Sequence, residues 1–215
     1  MLAELLDAGA EVVSTWIAER ELEAVHAELG DPANLKLVQA DISSEEGAQA
    51  AVQAAVGDGP LSGLANLVGG FSQSGRLHEA SPDEFERMLE LNLMTATRLT
   101  RAALPRMLDA GGSVVCVGAK YAVSPFPGAT GTIVSKAALL ALVRTLAIEY
   151  QEQGVRVNAI LPSVIDTPAN RADQPEADYS KWVAPAEIAR VIRFLLSDSS
   201  APVSGALMPV YGRAG

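Results

Sequence analysis

The chain has 215 residues, of which 49% are hydrophobic and 20% are charged, a balance typical of a globular domain with a substantial core. Its formal net charge of −10 argues against nucleic acid or an anionic membrane surface as the binding partner.

Apolar periodicity predicts strands and helices that alternate along the whole chain. Strands are predicted at residues 12–16, 35–40, 64–68, 113–117, 155–161 and 206–210. Helices are predicted at residues 1–8, 19–29, 43–56, 81–108, 130–150 and 185–196. Ser81 and Pro82 favour a helix start, because serine caps helices and proline fits their first turn. Pro105 is expected to kink or end that helix.

This order of elements indicates an α/β fold. The strands are continuous apolar runs, which is typical of a parallel sheet covered on both faces. We therefore predict a doubly wound, Rossmann-like parallel sheet with helices on both sides. No linker, repeat or low-complexity segment interrupts the pattern, so residues 1–215 are expected to form one domain.

The cysteine and histidine content narrows the chemistry further. The single cysteine, Cys116, excludes an internal disulfide framework and is compatible with a reducing cytosol. His26 and His78 lie too far apart for a metal-ligand spacing, so no metal site is predicted. We expect no apolar stretch to reach the ~20 residues of a membrane span, no signal peptide, and a cytoplasmic location.

Residues 118–140 carry the most informative motif. An apolar strand ends at Gly118, a loop containing Pro127 and Gly128 follows, and the next predicted helix presents Lys136. Ligands of open α/β sheets bind beyond the carboxyl ends of the strands, so this layout favours a catalytic site. With the run 135–139 (Ser-Lys-Ala-Ala-Leu), it resembles the short-chain dehydrogenase/reductase family.

The resemblance departs from the family at two reactive positions. The family has Tyr-x-x-x-Lys on this helix and usually a serine thirteen residues before the tyrosine, and these positions are Thr132 and Ala119 here. A lysine lowers the pKa of the family tyrosine so that it acts as the acid, which a threonine hydroxyl does not replace. Losing a general acid costs about 10²–10⁴-fold in rate. Tyr121, close to Ala119, is a candidate substitute phenol.

Further matches imply the remaining site residues. The implied catalytic set is Lys136, Asn92, Thr132 and Tyr121, with Asn92 at the family position that holds a water in a proton relay. The implied cofactor-binding set is Asp41 at the adenine, Asn66 and Gly69 in the turn beside the cofactor, Lys136 at the ribose, and Ile165 and Thr167 at the carboxamide. The run 156–162 (Arg-Val-Asn-Ala-Ile-Leu-Pro) matches best. Ser163 follows it in place of a glycine, where a positive φ would be strained.

The start of the chain and the cofactor choice also bear on the resemblance. The family sheet opens with a strand and a Gly-rich turn that binds the pyrophosphate, whereas residues 9–12 resemble the end of its first helix and the entry into its second strand. We therefore expect the first, central strand to be lacking, either from this sequence or from the protein, with unmet ladder hydrogen bonds and a trough in the core.

The second strand of the family ends in an acid in NAD enzymes or lies near an arginine in NADP enzymes. Neither signal is clear here, so both cofactors stay open.

Segments 118–120 and 166–182 look like the dihydropteridine-reductase branch, which shares the alanine at position 119 but keeps the tyrosine. One interpretation is an oxidoreductase that moves hydride between NAD or NADP and a small carbonyl or quinonoid substrate, with impaired activity. The alternatives are a lyase, cyclase or isomerase on the same scaffold, or a non-catalytic homologue that pairs with a partner.

A homodimer or homotetramer is expected through helices 81–108 and 130–150, with Ala138, Ala141, Leu142, Thr145 and Glu149 at the interface.

Overall fold

The computed structural model describes residues 1–213, in which parallel strands alternate with helices. The strands are β1 (Val12–Trp16), β2 (Leu35–Gln39), β3 (Gly63–Asn66), β4 (Gly112–Val117), β5 (Val155–Pro162) and β6 (Leu207–Val210). The helices are α1 (Leu2–Asp7), α2 (Glu19–Leu29), α3 (Glu45–Val56), α4 (Pro82–Leu89), α5 (Thr95–Ala103), α6 (Thr130–Glu149), α7 (Pro168–Asp173) and α8 (Pro185–Leu196). The prediction of a parallel α/β fold is confirmed.

The six strands form two sheets. One contains β1 and β2, and the other has the order β3-β4-β5-β6, with every pair parallel. Within the described part of the chain, no ladder joins the two sheets: β1 pairs only with β2, and β3 pairs only with β4. Helices join the two sheets instead, because α3 of the first packs on α5 of the second and α1 packs on α8. The carboxylate of Glu4 on α1 forms an ion pair of 2.8 Å with the guanidinium of Arg193 on α8.

The hydrophobic core lies on both faces of the four-stranded sheet. Val114 and Val157 face a cluster that includes Leu139 and Val143 of α6. Alternate residues of the same strands, among them Val115 and Ile160, face a second cluster with Ile192 of α8. Burial on both faces explains why β4 and β5 are mainly apolar, and their polar side chains Ser113, Arg156 and Asn158 all make hydrogen bonds.

The long helix predicted at residues 81–108 is divided into shorter pieces. A π-helical turn, Glu90–Met94, separates α4 from α5, and a 3-10 turn at Leu104–Arg106 contains Pro105 and ends the run. The proline therefore acts as predicted. Ser81 is the N-cap residue of α4 and Pro82 is its first residue, as predicted, although the Ser81 side chain makes no capping hydrogen bond. The π turn was not predicted, and short helix α7 was missed.

Helix α6 corrects one expectation about membrane spans. With 20 residues and a mean hydropathy of 1.6, it is long and apolar enough to cross a bilayer by length and composition. Buried Ser135 and Lys136 make specific contacts with other elements, and its apolar residues Leu139 and Val143 belong to the core. These contacts are those of a helix packed inside a folded domain.

Candidate active site

Lys136 lies on α6 at the carboxyl end of β4, where the sequence pattern placed it. Its Nζ atom donates a hydrogen bond of 2.7 Å to the carbonyl oxygen of Val117, and the residue is only 5% exposed. Burial lowers the pKa of the lysine from 10.5 to about 8, and the nearby thiol of Cys116 opposes that shift. Among residues 1–213 the ammonium forms no ion pair with a carboxylate, so its charge is compensated mainly by the carbonyl dipole of Val117.

Asn92 is fully buried in the π turn between α4 and α5. Its Oδ1 atom accepts a hydrogen bond of 2.8 Å from the backbone N–H of Gly70, and its Nδ2 donates to the Gly70 carbonyl at 3.1 Å. Nδ2 also donates to the hydroxyl of Ser135 on α6 at 3.0 Å. The wide π turn brings the side chain to this position, which agrees with the frequent occurrence of π turns at functional sites.

Gly69 follows β3 and lies against both of these side chains. A Cβ atom at this position would stand 2.7 Å from Lys136 Nζ and 2.8 Å from Asn92 Oδ1, closer than real Cβ contacts. The φ angle of Gly69 is not positive, so the glycine is required by close approach and not by backbone conformation. A cofactor-facing role for Gly69 stays a prediction. The packing itself is explained by Lys136 and Asn92.

Thr132 occupies the position where the resemblance places a tyrosine, and it is fully buried. Its hydroxyl accepts a hydrogen bond of 2.9 Å from the N–H of Ser72 and donates one of 2.9 Å to the carbonyl of the same residue. The single hydroxyl proton is thus committed to the Ser72 carbonyl. In this structure Thr132 anchors the loop after β3 to α6, and its hydroxyl offers no proton to a substrate.

Tyr121 lies in a 3-10 turn, Lys120–Ala122, directly after Ala119. Its ring packs against Phe71 and Phe126, with centroid distances of 5.8 and 6.0 Å. Burial raises the pKa of the phenol to about 12. A substitute acid would need the opposite shift, so the geometry favours an aromatic packing role for Tyr121.

Two predicted carboxamide-binding residues lie on the loop between β5 and α7. The hydroxyl of Thr167 accepts a hydrogen bond of 3.2 Å from the N–H of Asn170 and caps α7. Because a hydroxyl also has one proton to donate, the cap leaves Thr167 able to bind a carbonyl oxygen. The carbonyl of Ile165 accepts from Asn170 Nδ2 at 2.8 Å, which fixes the loop.

The other two predicted cofactor residues make local structural contacts. Asp41 follows β2, and its Oδ1 atom accepts from the N–H and hydroxyl of Ser43, which lowers the pKa of the carboxyl. The buried amide of Asn66 donates to Thr100 Oγ1 at 2.9 Å and to Cys116 Sγ at 3.4 Å. Asn66 therefore ties β3 to α5 and β4, and its side chain faces the interior.

The best-matching motif also proves structural. The guanidinium of Arg156 donates to the carbonyl oxygens of Ser197, Ser200 and Val203. Asn158 donates to Val203 at 2.9 Å and accepts from Ala206 at 3.0 Å. Both side chains attach β5 to the segment that leads into β6.

Ser163, which follows this motif, corrects an expectation of strain. No residue other than glycine has a positive φ in the described part of the chain. The serine is therefore accommodated without strain, and its hydroxyl donates to the carbonyl of Tyr211 at 2.9 Å. Sequence reasoning did not foresee this contact, because it joins residues far apart in the chain.

The structure thus brings together Lys136, Asn92 and Gly69, with Thr132 one turn before the lysine on α6 and Tyr121 in the 3-10 turn after β4. A lysine with a pKa near 8 is well suited to exchange protons near neutral pH. Three features fit the nicotinamide and ribose portion of a dinucleotide. The backbone approaches closely at Gly69, the lysine can donate hydrogen bonds to sugar hydroxyls, and the Thr167 hydroxyl retains a proton to donate. Among residues 1–213, no group of three or more histidine, cysteine or acidic residues is arranged to hold a metal ion.

Comparison with known proteins gives matches over most of the chain. The family profile described as Enoyl-(Acyl carrier protein) reductase matches residues 2–212. The chain is 31% identical over 189 residues to 2-(R)-hydroxypropyl-CoM dehydrogenase of Xanthobacter autotrophicus, covering 81% of this chain and 76% of that protein. It is 35% identical over 155 residues to an uncharacterized NAD-dependent oxidoreductase of Mycobacterium tuberculosis, covering 63% of this chain and 56% of that protein.

A solved structure is similar in both fold and sequence. The crystal structure of a short chain dehydrogenase from Mycobacterium smegmatis superposes with a TM-score of 0.81 and 30% identity. The superposition covers 94% of this chain and 81% of that one. The arrangement of strands and helices described above is therefore shared with a short chain dehydrogenase.

The Thr132 clamp gives a stability prediction. Thr132→Val removes both hydrogen bonds to Ser72 and keeps the side-chain shape, so we expect the free energy of unfolding to fall by about 1 to 3 kcal/mol. Urea denaturation of the two proteins measures the difference. Thr15→Val on β1 is the control, since the Thr15 hydroxyl makes no hydrogen bond among the described residues and its change should stay within about 0.5 kcal/mol. Equal effects of the two substitutions would contradict the clamp.

The buried Lys136 predicts a dependence of stability on pH. The folded lysine loses its proton near pH 8, whereas the unfolded lysine keeps it to about pH 10.5. Between these values the unfolded state binds more protons, so stability rises with pH. The free energy of unfolding relative to Lys136→Met should increase by about 1 kcal/mol from pH 7 to 9.

Cys116 acts in the opposite sense at higher pH. Burial raises the pKa of its thiol to about 11, so above pH 9 the unfolded state loses this proton first and stability falls. Comparison with Lys136→Met cancels that contribution, because both proteins contain Cys116. A difference that stays flat from pH 7 to 9 would mean that the ammonium is solvated.

Proposed function

The chain belongs to the short-chain dehydrogenase/reductase family, and we propose that it is a nicotinamide-dependent oxidoreductase acting on a small carbonyl or quinonoid substrate. The observation that carries the proposal is the Lys136 ammonium, buried at the carboxyl end of β4 and packed against Gly69 and Asn92. The M. tuberculosis relative is described as NAD-dependent, which supports a nicotinamide cofactor here. Either NAD or NADP is compatible with the residues that follow β1.

In this proposal the side chains have separate tasks. When bound, the dinucleotide supplies or accepts the hydride. Lys136 donates to the ribose hydroxyls, and Thr167 donates its free proton to the carboxamide oxygen. Asn92 holds the backbone of Gly70 and Ser135, so it keeps the loop and α6 in register beside the cofactor. Asp41 stays a candidate for the adenine end.

The proton is proposed to come from Lys136. Thr132 has committed its hydroxyl to Ser72, and the pKa of Tyr121 is raised to about 12. When hydride reaches the carbonyl carbon, the carbonyl π electron pair takes a proton from the ammonium to form the hydroxyl. The lysine is left neutral and regains a proton from solvent. If Lys136 did not supply the proton, the loss of general acid catalysis would lower the rate about 10²–10⁴-fold.

Dinucleotide binding is the direct test. Fluorescence titration with NADH and NADPH should show saturable binding by the wild-type protein. Lys136→Met should weaken that binding about 10-fold or more, because a charge-assisted hydrogen bond is worth roughly 1.5 to 3 kcal/mol. Lys36→Met, which removes an exposed lysine on β2, should leave affinity unchanged. If neither NADH nor NADPH binds, the result would favour the non-redox or non-catalytic interpretations.

The proton route has its own test. If Lys136 donates the proton, the pH profile of kcat should fall with a midpoint near pH 8 as the ammonium is lost. A profile that is flat to pH 10 would assign the proton to another donor. Tyr121→Phe tests whether the Tyr121 phenol is that donor, because the substitution removes the hydroxyl and keeps the ring. We expect kcat to change less than twofold in this variant.

We further propose that two copies associate through α5 and α6. A groove of about 400 Å³ runs between these helices, lined by Leu104, Leu142, Leu146 and other residues. Val134 and Ile148 on α6 are exposed, and Ile148 reaches 76%. Of the predicted interface residues, Ala141, Thr145 and Glu149 are exposed, whereas Ala138 and Leu142 are half-buried. An apolar stripe of this kind is typical of a self-complementary dimer interface.

Charge on the stripe should dissociate the dimer. Ile148→Glu places two carboxylates at a two-fold interface, so we expect the wild-type mass of a dimer to fall to that of a monomer in multi-angle light scattering. Leu77→Glu is the control, since Leu77 is equally exposed but lies in the loop before α4. A monomeric wild-type protein at micromolar concentration would refute this interface.

The proposed location is the cytoplasm. Cys116 is free and buried, and burial raises the pKa of its thiol to about 11, so the thiol is suited to a reducing compartment and is not reactive. The negative charge of the chain argues against membranes and nucleic acid as partners.

A further inference from the structure

Three aromatic rings form a cluster on the surface beside the active-site lysine. Phe71 and Phe126 have centroids 6.4 Å apart, and Tyr121 lies 5.8 Å from the first and 6.0 Å from the second. The cluster is not covered by the core, because Phe71 is 54% exposed and Phe126 is 38% exposed. Val123, beside Tyr121 in sequence, is also exposed. We call Phe71, Tyr121 and Phe126 the aromatic platform.

The backbone that carries Phe71 is fixed on both sides. Gly70 exchanges two hydrogen bonds with the side chain of Asn92, and Ser72 exchanges two with Thr132. Both anchoring side chains are fully buried. An exposed aromatic residue between two such clamps is held in place while its ring faces solvent, which is the arrangement expected of a recognition residue.

The loops that carry the other two rings are also tied to this segment. The N–H groups of Ser74 and Gly75 donate to the carbonyl of Gly128, at 3.1 and 3.2 Å. The loop containing Phe126 therefore runs alongside the loop containing Phe71. Tyr121 follows Ala119 at the end of β4, and burial raises its pKa to about 12, so all three rings stay uncharged near neutral pH.

The platform borders the site of the proposed hydride transfer. Gly69, which packs against Lys136, is two residues before Phe71. We propose that the aromatic platform binds the planar aromatic ring of the substrate, so that the enzyme acts on carbonyl or quinonoid groups attached to one or two fused aromatic rings. This substrate class rests on the proposed function, whereas the binding of the ring itself does not. Thr132 is then a positioning residue that fixes Phe71.

Ring recognition has a chemical basis in the platform geometry. Aromatic pairs prefer offset or edge-to-face contact with centroids about 4.5–7 Å apart, and they gain more than the burial of equal apolar area. The pairs here are tilted by 35° to 89°, so their rings present both edges and faces to a further ring. A saturated ring would gain only the burial of its area.

The test compares two ligands of matched shape without any cofactor. NMR titration measures the affinity of the wild-type protein for 2-naphthamide and for decahydro-2-naphthamide, which is at least as apolar. We expect the aromatic compound to bind about 2- to 10-fold more tightly. Phe71→Leu and Phe126→Leu keep apolar bulk and should each reduce this preference toward one. Phe194→Leu alters an exposed phenylalanine on α8 and should leave it unchanged.

A positioning role for Thr132 is tested in the same assay. Thr132→Val should reduce the aromatic preference, and Thr132→Ser, which keeps the hydroxyl, should retain it. NADH titration of Phe71→Leu should give wild-type affinity within about twofold, since the substitution leaves the hydrogen bond of Lys136 and the backbone bonds of Gly70 and Ser72 in place.

The outcomes separate the two proposals. Failure of both NADH and NADPH to bind, with an intact aromatic preference, would refute the proposed oxidoreductase function and support the platform. Equal affinity for the two amides, no binding of either, or a preference that survives both leucine variants would overturn the platform. A change of oligomeric mass in Phe71→Leu would also overturn it, because the rings would then be covered by a second copy.

Discussion

Two buried polar side chains, Asn92 and Thr132, hold the loop after β3 against Lys136, and the rest of the candidate site depends on them. Asn92 binds both polar atoms of Gly70, and Thr132 binds both polar atoms of Ser72. Each pair satisfies a backbone N–H and a carbonyl that would otherwise be costly to bury. The loop therefore passes within van der Waals distance of Lys136, and only glycine fits at position 69.

This constraint gives the tyrosine replacement a physical meaning. The hydroxyl of Thr132 reaches the Ser72 backbone, and the residue is fully buried. Threonine in place of the family tyrosine lacks the phenol proton donor, and its hydroxyl instead fixes the loop that carries Phe71. The lowered pKa of Lys136 follows from the same packing, because the loop excludes water from the ammonium.

The sequence predicted much of the fold. Apolar runs located all six strands, and the pattern around Lys136 located the helix that carries this lysine, whereas its catalytic role stays a prediction. Side-chain partners far apart in the chain could not be predicted: the Thr132 contact with Ser72 joins α6 to a loop that no local pattern places beside it. Neither could the buried contacts of Asn66, because the same residue type serves a turn beside a ligand or a core hydrogen bond equally well. The π turn that places Asn92 against Gly70 and Ser135 could not be predicted either, because helical periodicity does not distinguish a π turn from an α-helix.

The division into two sheets sets the mechanical context of this site. Lys136, Gly69 and Thr167 all belong to the four-stranded sheet and its loops, whereas Asp41 follows β2 of the two-stranded sheet. A dinucleotide held by both would span the boundary, where the connection runs through helix packing and the Glu4–Arg193 ion pair and not through a hydrogen-bonded ladder. Helix contacts slide and tilt more readily than paired strands. The nicotinamide end would therefore meet a site fixed by buried hydrogen bonds, and the adenine end would meet one whose position depends on apolar packing between α3 and α5.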